Sequence, residues 1–301
     1  RRETQRLSFL DFRTLSRGVA ARLEQLGIGP GDRVVVLLSN QAAWLVTATA
    51  AFWRGAVVVP LDYKLTPSEQ AALVAHAKPK LVVTEHDMYR RHTSLIAPLF
   101  LLTDVPDSVA LTDNVHRWGP GDSLIDTPVA VGPEDIATIV YSSGTGGTPK
   151  GCTITHRAYL AQLDGLMELF AMEEGDRFFS ILPTNHAIDF MCGFLAPFAW
   201  GATVVHQRTL RPELILTTMQ RYAITHMAVV PLILTAFERA LRERIDALPS
   251  WQRSALQALA TANAGLTERV PRPGISRKLL GPIHNAFGGR LRLMFCGGAH
   301  T

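Results

Sequence analysis

Along residues 8–84 the apolar pattern switches back and forth between two periods, and few folds satisfy that rhythm. Phe12, Leu15, Val19, Leu23 and Leu26 recur at the spacing of one helical face. Ser8, with Asp11 three residues on, marks the start of this helix, and Gly27 marks its end. After the turn Pro30-Gly31-Asp32 comes Arg33–Leu38, a run of β-branched residues typical of a strand covered on both faces. Helix-like Gln41–Trp53, strand-like Ala56–Val59, helix-like Pro67–Ala77 and strand-like Lys80–Thr84 follow. The pattern predicts an α/β fold of layered, mostly parallel sheets with helices on both faces. Residues 103–135, rich in Asp, Pro and Gly, read either as a crossing between two lobes or as turns within one domain. The alternation resumes with strands at Ile136–Tyr141, Arg177–Leu182, Ala202–His206, His226–Val230 and Leu291–Phe295, helices lie between them, and no internal repeat is evident.

Composition narrows the class. A chain of 301 residues, 47% hydrophobic and 19% charged, has enough apolar surface to bury a core, so disorder is excluded as the dominant state. The most apolar stretches, Ala42–Trp53 and Phe190–Val205, are each shorter than the ~20 residues of a spanning helix. Three separated cysteines, Cys152, Cys192 and Cys296, make neither a disulfide framework nor a zinc site, and they point to a reducing compartment. Arg1–Arg6 is charged and leads straight into the first helical pattern, which reads as a cytosolic chain without a secretory signal. The net charge of +4 permits an anionic ligand. The Arg residues lack interleaved aromatic platforms, which argues against a nucleic-acid binder.

Chemistry concentrates in Tyr141-Ser142-Ser143-Gly144-Thr145-Gly146-Gly147-Thr148-Pro149-Lys150-Gly151, between the strand at Ile136–Tyr141 and a helix starting near Thr155. Small residues let backbone N–H groups turn inward, while four hydroxyls and one ammonium add donors, a combination suited to a polyphosphate. A Walker A loop needs Gly before its Lys and Ser or Thr after it, whereas Pro149 and Gly151 flank Lys150. A dinucleotide fingerprint starting at Gly144 would put Pro149 at its last glycine.

The segment closely resembles the phosphate-binding signature of the adenylate-forming (AMP-binding) enzymes, which include acyl-CoA synthetases, luciferases and peptide-synthetase adenylation domains. It matches at Tyr141, Ser142, Ser143, Gly144, Thr145, Gly147, Pro149, Lys150 and Gly151 and departs at Gly146, where the family has a second Thr, with Thr148 supplying a hydroxyl nearby. Four further segments follow in the family's order: Gly29–Val34 with Asn40, Gly55–Asp62, Leu182–His186, and Gly297-Gly298-Ala299. Together they span nearly the whole chain.

The resemblance implies an enzyme that joins a carboxylate to ATP as an acyl-adenylate and then passes the acyl group to a thiol, with ATP, magnesium and coenzyme A as its small molecules. Ser142, Ser143, Gly144, Thr145, Gly146, Gly147, Thr148 and Lys150 are then expected to hold phosphate, with Thr145 near the magnesium ion. His186 is expected beside the substrate carboxylate as the catalytic candidate. Gly297, Gly298 and Ala299 are expected at the adenine and acyl group, and Phe190 at the wall of an acyl pocket. The family's Tyr-Gly-x-Thr-Glu motif, ribose-binding Asp and C-terminal catalytic-lysine domain lie outside these 301 residues. The resemblance therefore implies an N-terminal adenylation domain, possessed of one or two lobes, from a longer enzyme.

The stretch between Pro231 and Gly297 is similar to the helical insertion of bacterial long-chain acyl-CoA synthetases. Leu234, Phe237, Leu241, Ile245 and Leu248 keep helical spacing, and Trp251, Ala255 and Leu259 continue a second helix. Glu238–Arg292 holds ten Lys and Arg against four Asp and Glu, a net +6, which leaves −2 elsewhere. The expected substrate is a long-chain fatty acid, and the basic insertion 238–292 is expected either to touch an anionic membrane or to be an ordinary solvated face. Two other readings stay open: a fatty acyl-AMP ligase or aryl or amino acid adenylation domain that loads a carrier protein, and a degenerate nucleotide-binding protein without activity. Oligomeric state is not legible.

Overall fold

The computed structural model describes residues 5–92, 94–142, 150–170, 172–207, 209–270 and 272–297, with the backbone alone at 142, 212 and 213. The chain divides into two compact units, residues 1–170 with 183–187, and residues 171–182 with 188–301.

The first unit opens with helix α1 (Phe9–Gln25). Ser8 and Asp11 form a reciprocal cap at its start, and Gly27 leaves it at φ +73°, where a side chain would be strained. Then come β1 (Arg33–Leu37), α2 (Ala42–Trp53), β2 (Val57–Pro60), α3 (Pro67–Ala77), β3 (Leu81–Glu85), α4 (His86–Arg91), β4 (Leu99–Thr103), β5 (Val115–Arg117), β6 (Ile136–Ser142), β7 (Lys150–Thr155) and α5 (His156–Leu169). The seven strands form one sheet in the order β5-β4-β3-β1-β2-β6-β7, parallel throughout except for the antiparallel β6–β7 pair. Val34, Val35, Val36 and Leu37 are fully buried, each burial contributing roughly 1.5–3 kcal/mol. Helix α2 is apolar nearly all round and buried, as such a helix must be, with α1 packed against it.

Residues 103–135 lie wholly within this unit. β5 adds to the sheet edge, the Gly121 N–H donates to Gly18, and Arg117 gathers the carbonyls of Val105, Pro106, Asp107 and Val109. The divide in the chain falls instead at 170/171.

The second unit contains β8 (Arg177–Ser180), α6 (Ala187–Phe190, whose first residue belongs to the first unit), a π-helical turn at Met191–Leu195, α7 (Ala196–Ala199), β9 (Thr203–His206), α8 (Pro212–Tyr222) and β10 (His226–Val229). It continues with α9 (Pro231–Asp246), α10 (Ser250–Thr267), α11 (Pro273–Leu279), α12 (Gly281–Ala286) and β11 (Leu293–Cys296). Its four strands are parallel in the order β11-β10-β8-β9, over a core that includes Phe178, Phe179, Met219, Met227 and Val229. At the amino edge of this sheet Arg292 Nη1 donates to both Asp176 carboxylate oxygens at 3.2 Å. Burial works to raise the Asp176 carboxyl, but the Glu173 N–H, the Thr225 hydroxyl, His226 and Arg292 together hold it below the usual range. Among the described residues no helix is long and apolar enough to cross a membrane.

Candidate functional site

In open α/β sheets, ligands bind outside the carboxyl ends of the strands where the strand order reverses. The first sheet reverses at β1, with β2 on one side and β3 on the other. Three polar groups emerge at that edge: the Ser39–Gln41 loop after β1, Asp62 after β2, and Glu85 at the end of β3. Glu85 accepts from the Ser39 N–H at 3.1 Å, from the Ser39 hydroxyl, and from Gln41 Nε2 at 2.9 Å. Its carboxylate thereby stands at the start of α2, which has no side-chain cap of its own.

The segment 183–187 belongs to this unit although it follows β8 in the chain. Its Thr184 N–H donates to Asn40 Oδ1 at 3.0 Å. Two residues on, His186 Nε2 lies 3.6 Å from Asp62 Oδ2. The histidine side chain is 58% exposed and the aspartate 20%. Contact with His186 and the Lys64 N–H holds the Asp62 carboxyl below its usual range, against the opposing effect of burial. Three segments read separately along the sequence, those ending in Asn40, Asp62 and His186, therefore meet at one edge.

The Gly/Ser/Thr-rich segment follows β6 in the chain, and the carboxyl end of β6 lies at the same edge. The sequence reading leads from its strand directly to a helix. The structure instead turns the chain back as β7, with Ser142 opposite Lys150, before Thr155 caps α5. The segment is thus the connection of a hairpin. Lys150 is exposed at its base and has no ion pair among the described residues, the donor chemistry a phosphate requires. Tyr141 fastens that base to α3, its hydroxyl 2.7 Å from His76 Nδ1. Ser143, Gly144, Thr145, Gly146, Gly147 and Thr148 lie outside the described residues, as does the Ser142 side chain. No cluster of three His, Cys, Asp or Glu side chains able to hold a metal occurs among the described residues, and Thr145, the expected magnesium contact, is not one of them.

In the second unit Phe190 is buried in an edge-to-face ladder with Phe194 and Phe198, at centroid separations of 5.6 and 5.1 Å. Beside it the Ser180 hydroxyl donates to Asp189 Oδ2 at 2.7 Å and lies 3.0 Å from His206 Nδ1. Burial pushes the His206 imidazole down to about 4, so this ring is neutral near pH 7. Gly193 is needed here, because a Cβ would sit 2.5 Å from Asp189 Oδ1. Gly297 continues β11, its N–H donating to Val229 at 3.3 Å, while Gly298 and Ala299 lie outside the described residues.

Sequence reasoning missed Asp62 as the partner of His186 and Asn40 as the acceptor for its segment. Both residues stood inside quoted motifs, but a contact spanning more than a hundred residues leaves no periodic trace.

The exposed Lys150 where β7 pairs with the end of β6, and the His186–Asp62 contact at the carboxyl edge of the same sheet, bring together groups of the kind an anionic ligand requires. A 4-coumarate–CoA ligase-like protein of Oryza sativa subsp. japonica is 30% identical over 258 residues, covering 78% of this chain and 43% of that protein. The 3-[(3aS,4S,7aS)-7a-methyl-1,5-dioxo-octahydro-1H-inden-4-yl]propanoyl:CoA ligase of Mycobacterium tuberculosis is 28% identical over 291 residues, covering 89% of this chain and 55% of that enzyme. The chain thus spans about half the length of these relatives. The crystal structure of ATP-bound MatB from Rhodopseudomonas palustris shares the fold at a TM-score of 0.69 and 21% identity, over 98% of this chain and 50% of that one. The profile described as "AMP-binding enzyme" matches residues 1–301, and the chain belongs to the AMP-binding enzyme family.

Proposed function

We propose that this chain binds ATP at the β6–β7 connection and activates a carboxylic acid as its acyl-adenylate, for transfer to the thiol of coenzyme A. The observation that carries the proposal is the gathering of Lys150 and the His186–Asp62 pair on the carboxyl edge of the first sheet. In the reaction a carboxylate oxygen attacks the α-phosphorus of ATP and pyrophosphate leaves. Two anions must approach while a third departs, so the protein's share is positioning and charge. Lys150 supplies a positive contact for the departing phosphates, and His186 faces the incoming carboxylate. Magnesium, when bound, neutralises further phosphate charge.

The finer reading, a long-chain fatty acid, is supported by the insertion that folds into α9–α12 between β10 and β11. A cytosolic setting with peripheral membrane contact belongs to the same proposal. Trp251 and Leu266 on α10 are 69% and 50% exposed, and Arg269, Arg272, Arg277 and Lys278 follow them.

The test is acid-dependent exchange of pyrophosphate into ATP by the protein at its natural full length, with fatty acids of increasing chain length and 4-coumarate offered in turn. Exchange rising with fatty-acid chain length supports both parts. Exchange with 4-coumarate alone leaves the adenylation reading and removes the fatty acid, and no exchange with any acid removes the activity.

A further inference from the structure

Residues 183–187 belong to the first unit, although the chain on either side of them belongs to the second. So short a segment keeps its place through what it bonds to, and Thr184 supplies an anchor. Its N–H donates to Asn40 Oδ1 at 3.0 Å, across 144 residues of sequence. Both residues are buried, at 1% and 5% exposure. A buried amide outside helix and sheet has no ladder partner, so its acceptor has to come from elsewhere, and losing that acceptor is costly. From this anchor the chain turns, the His186 N–H donating to the Pro183 carbonyl at 3.0 Å, and the histidine side chain emerges exposed at the edge of the sheet. Asn40 is held in its turn. Its neighbours Ser39 and Gln41 both donate to the Glu85 carboxylate at the end of β3, which pins the loop on either side of it. The contacts run from β3, through the loop after β1, to the segment that presents His186.

We propose that Asn40 is a positioning residue for acid activation: its carboxamide oxygen fixes the 183–187 turn through the Thr184 N–H and so sets where His186 stands at the edge. The proposal rests on the acid-activating reading for the step it affects. The anchoring itself does not depend on that reading. Asn40 acts through the segment, and a displacement of about 1 Å in a positioned group is enough to cost up to about a hundredfold in rate. The phosphates of ATP, assigned to the β6–β7 connection, are held by other residues, so their binding does not pass through Asn40.

The experiment uses the protein at its natural full length, as wild type, Asn40→Leu, Asn40→Asp, His186→Ala and Asn40→Leu/His186→Ala. Leucine is close to asparagine in size and offers no acceptor, whereas aspartate keeps an oxygen in the same place. One arm follows amide hydrogen exchange in the peptide covering residues 183–187. Asn40→Leu speeds it by about tenfold or more, as expected when a buried donor loses its partner, and Asn40→Asp stays within about twofold of the wild type. The second arm follows acid-dependent pyrophosphate release. In Asn40→Leu kcat falls about tenfold while the KM for ATP moves by less than about twofold, and Asn40→Asp restores most of kcat. In the His186→Ala background the same leucine substitution costs little further, because the two residues act as one unit. A purely structural role would add its loss in both backgrounds. The proposal is overturned if Asn40→Leu, folded by its thermal melt, leaves amide exchange at 183–187 unchanged, if Asn40→Asp exchanges as fast as Asn40→Leu, or if the loss of kcat is equal with and without His186. Should the wild type release pyrophosphate with no acid, the acid-activating reading fails alone, and the amide exchange still decides the anchor. Should Asn40→Leu not fold, Asn40→Asp decides: amide exchange and kcat like the wild type's support the anchor, and a loss of both overturns it.

Discussion

Lys150 begins β7 as an exposed cation opposite the end of β6, where a charge-assisted contact to phosphate is worth more than a neutral one. Lys150→Ala is expected to raise the KM for ATP by about tenfold, with a smaller effect on the KM for the acid, in steady-state assays of pyrophosphate release. Asp62 also carries a stability effect. Its carboxyl is held below the usual range in the fold, so the stabilisation is complete above the unfolded carboxylate value near pH 4 and is lost as pH falls through the lower folded value. Urea midpoints compared at pH 7 and pH 3 are expected to differ less in Asp62→Asn than in the wild type. Cys192 gives a third expectation at this scale. Burial, with Asp189 nearby, pushes its thiol up to about 11, whereas Cys152 and Cys296 are exposed. A thiol reagent at pH 8 should therefore modify Cys152 and Cys296 in native protein and spare Cys192 until it unfolds. The motif that carries His186 could be read in the sequence because its spacing is local, and the structure sets that histidine beside Asp62. Asp62 and Asn40 became partners only through strand order, which no local pattern encodes.

Among the elements, those with a strong period were the most legible. α3 spans Pro67–Ala77 as its pattern predicts, and α1, β1 and β3 differ from expectation only at their ends. β7 was missed because Lys-Gly-Cys-Thr-Ile-Thr has no apolar alternation and its first four residues are exposed, so only backbone pairing with β6 makes it a strand. β5 was hidden for a related reason: three residues at a sheet edge are too few to show a period. Two glycines after α12 were not singled out, yet Gly288 sits at φ +86° with the Met219 carbonyl 2.4 Å from where a Cβ would be. Gly288→Ala is expected to cost about 1–3 kcal/mol in urea unfolding while leaving ATP affinity unchanged, because it breaks the packing of α8 against the turn and nothing at the first sheet's edge. A variant as stable as the wild type would show that this turn relaxes freely.

At the scale of the molecule, both sheets follow one rule. Each is essentially parallel, each buries its strands among apolar side chains, and each carries polar groups at the carboxyl ends, the second sheet having the Asp176–Arg292 cluster at its amino edge as well. Ser39, Asn40 and Asp62 stand at the carboxyl ends in the first unit, and Ser180 and His206 in the second. The α/β class and the order of motifs were legible because repeated strand and helix periods are local properties. The assignment of 183–187 to the first unit was not, since it depends on hydrogen bonds to residues far upstream. The central claim is that the β6–β7 connection holds the phosphates of ATP, and amide hydrogen exchange of the full-length protein with and without ATP tests it most directly. Slowed exchange concentrated in the peptide covering residues 142–151 is the predicted result. ATP bound at saturation with that peptide exchanging as fast as in the free protein would contradict it.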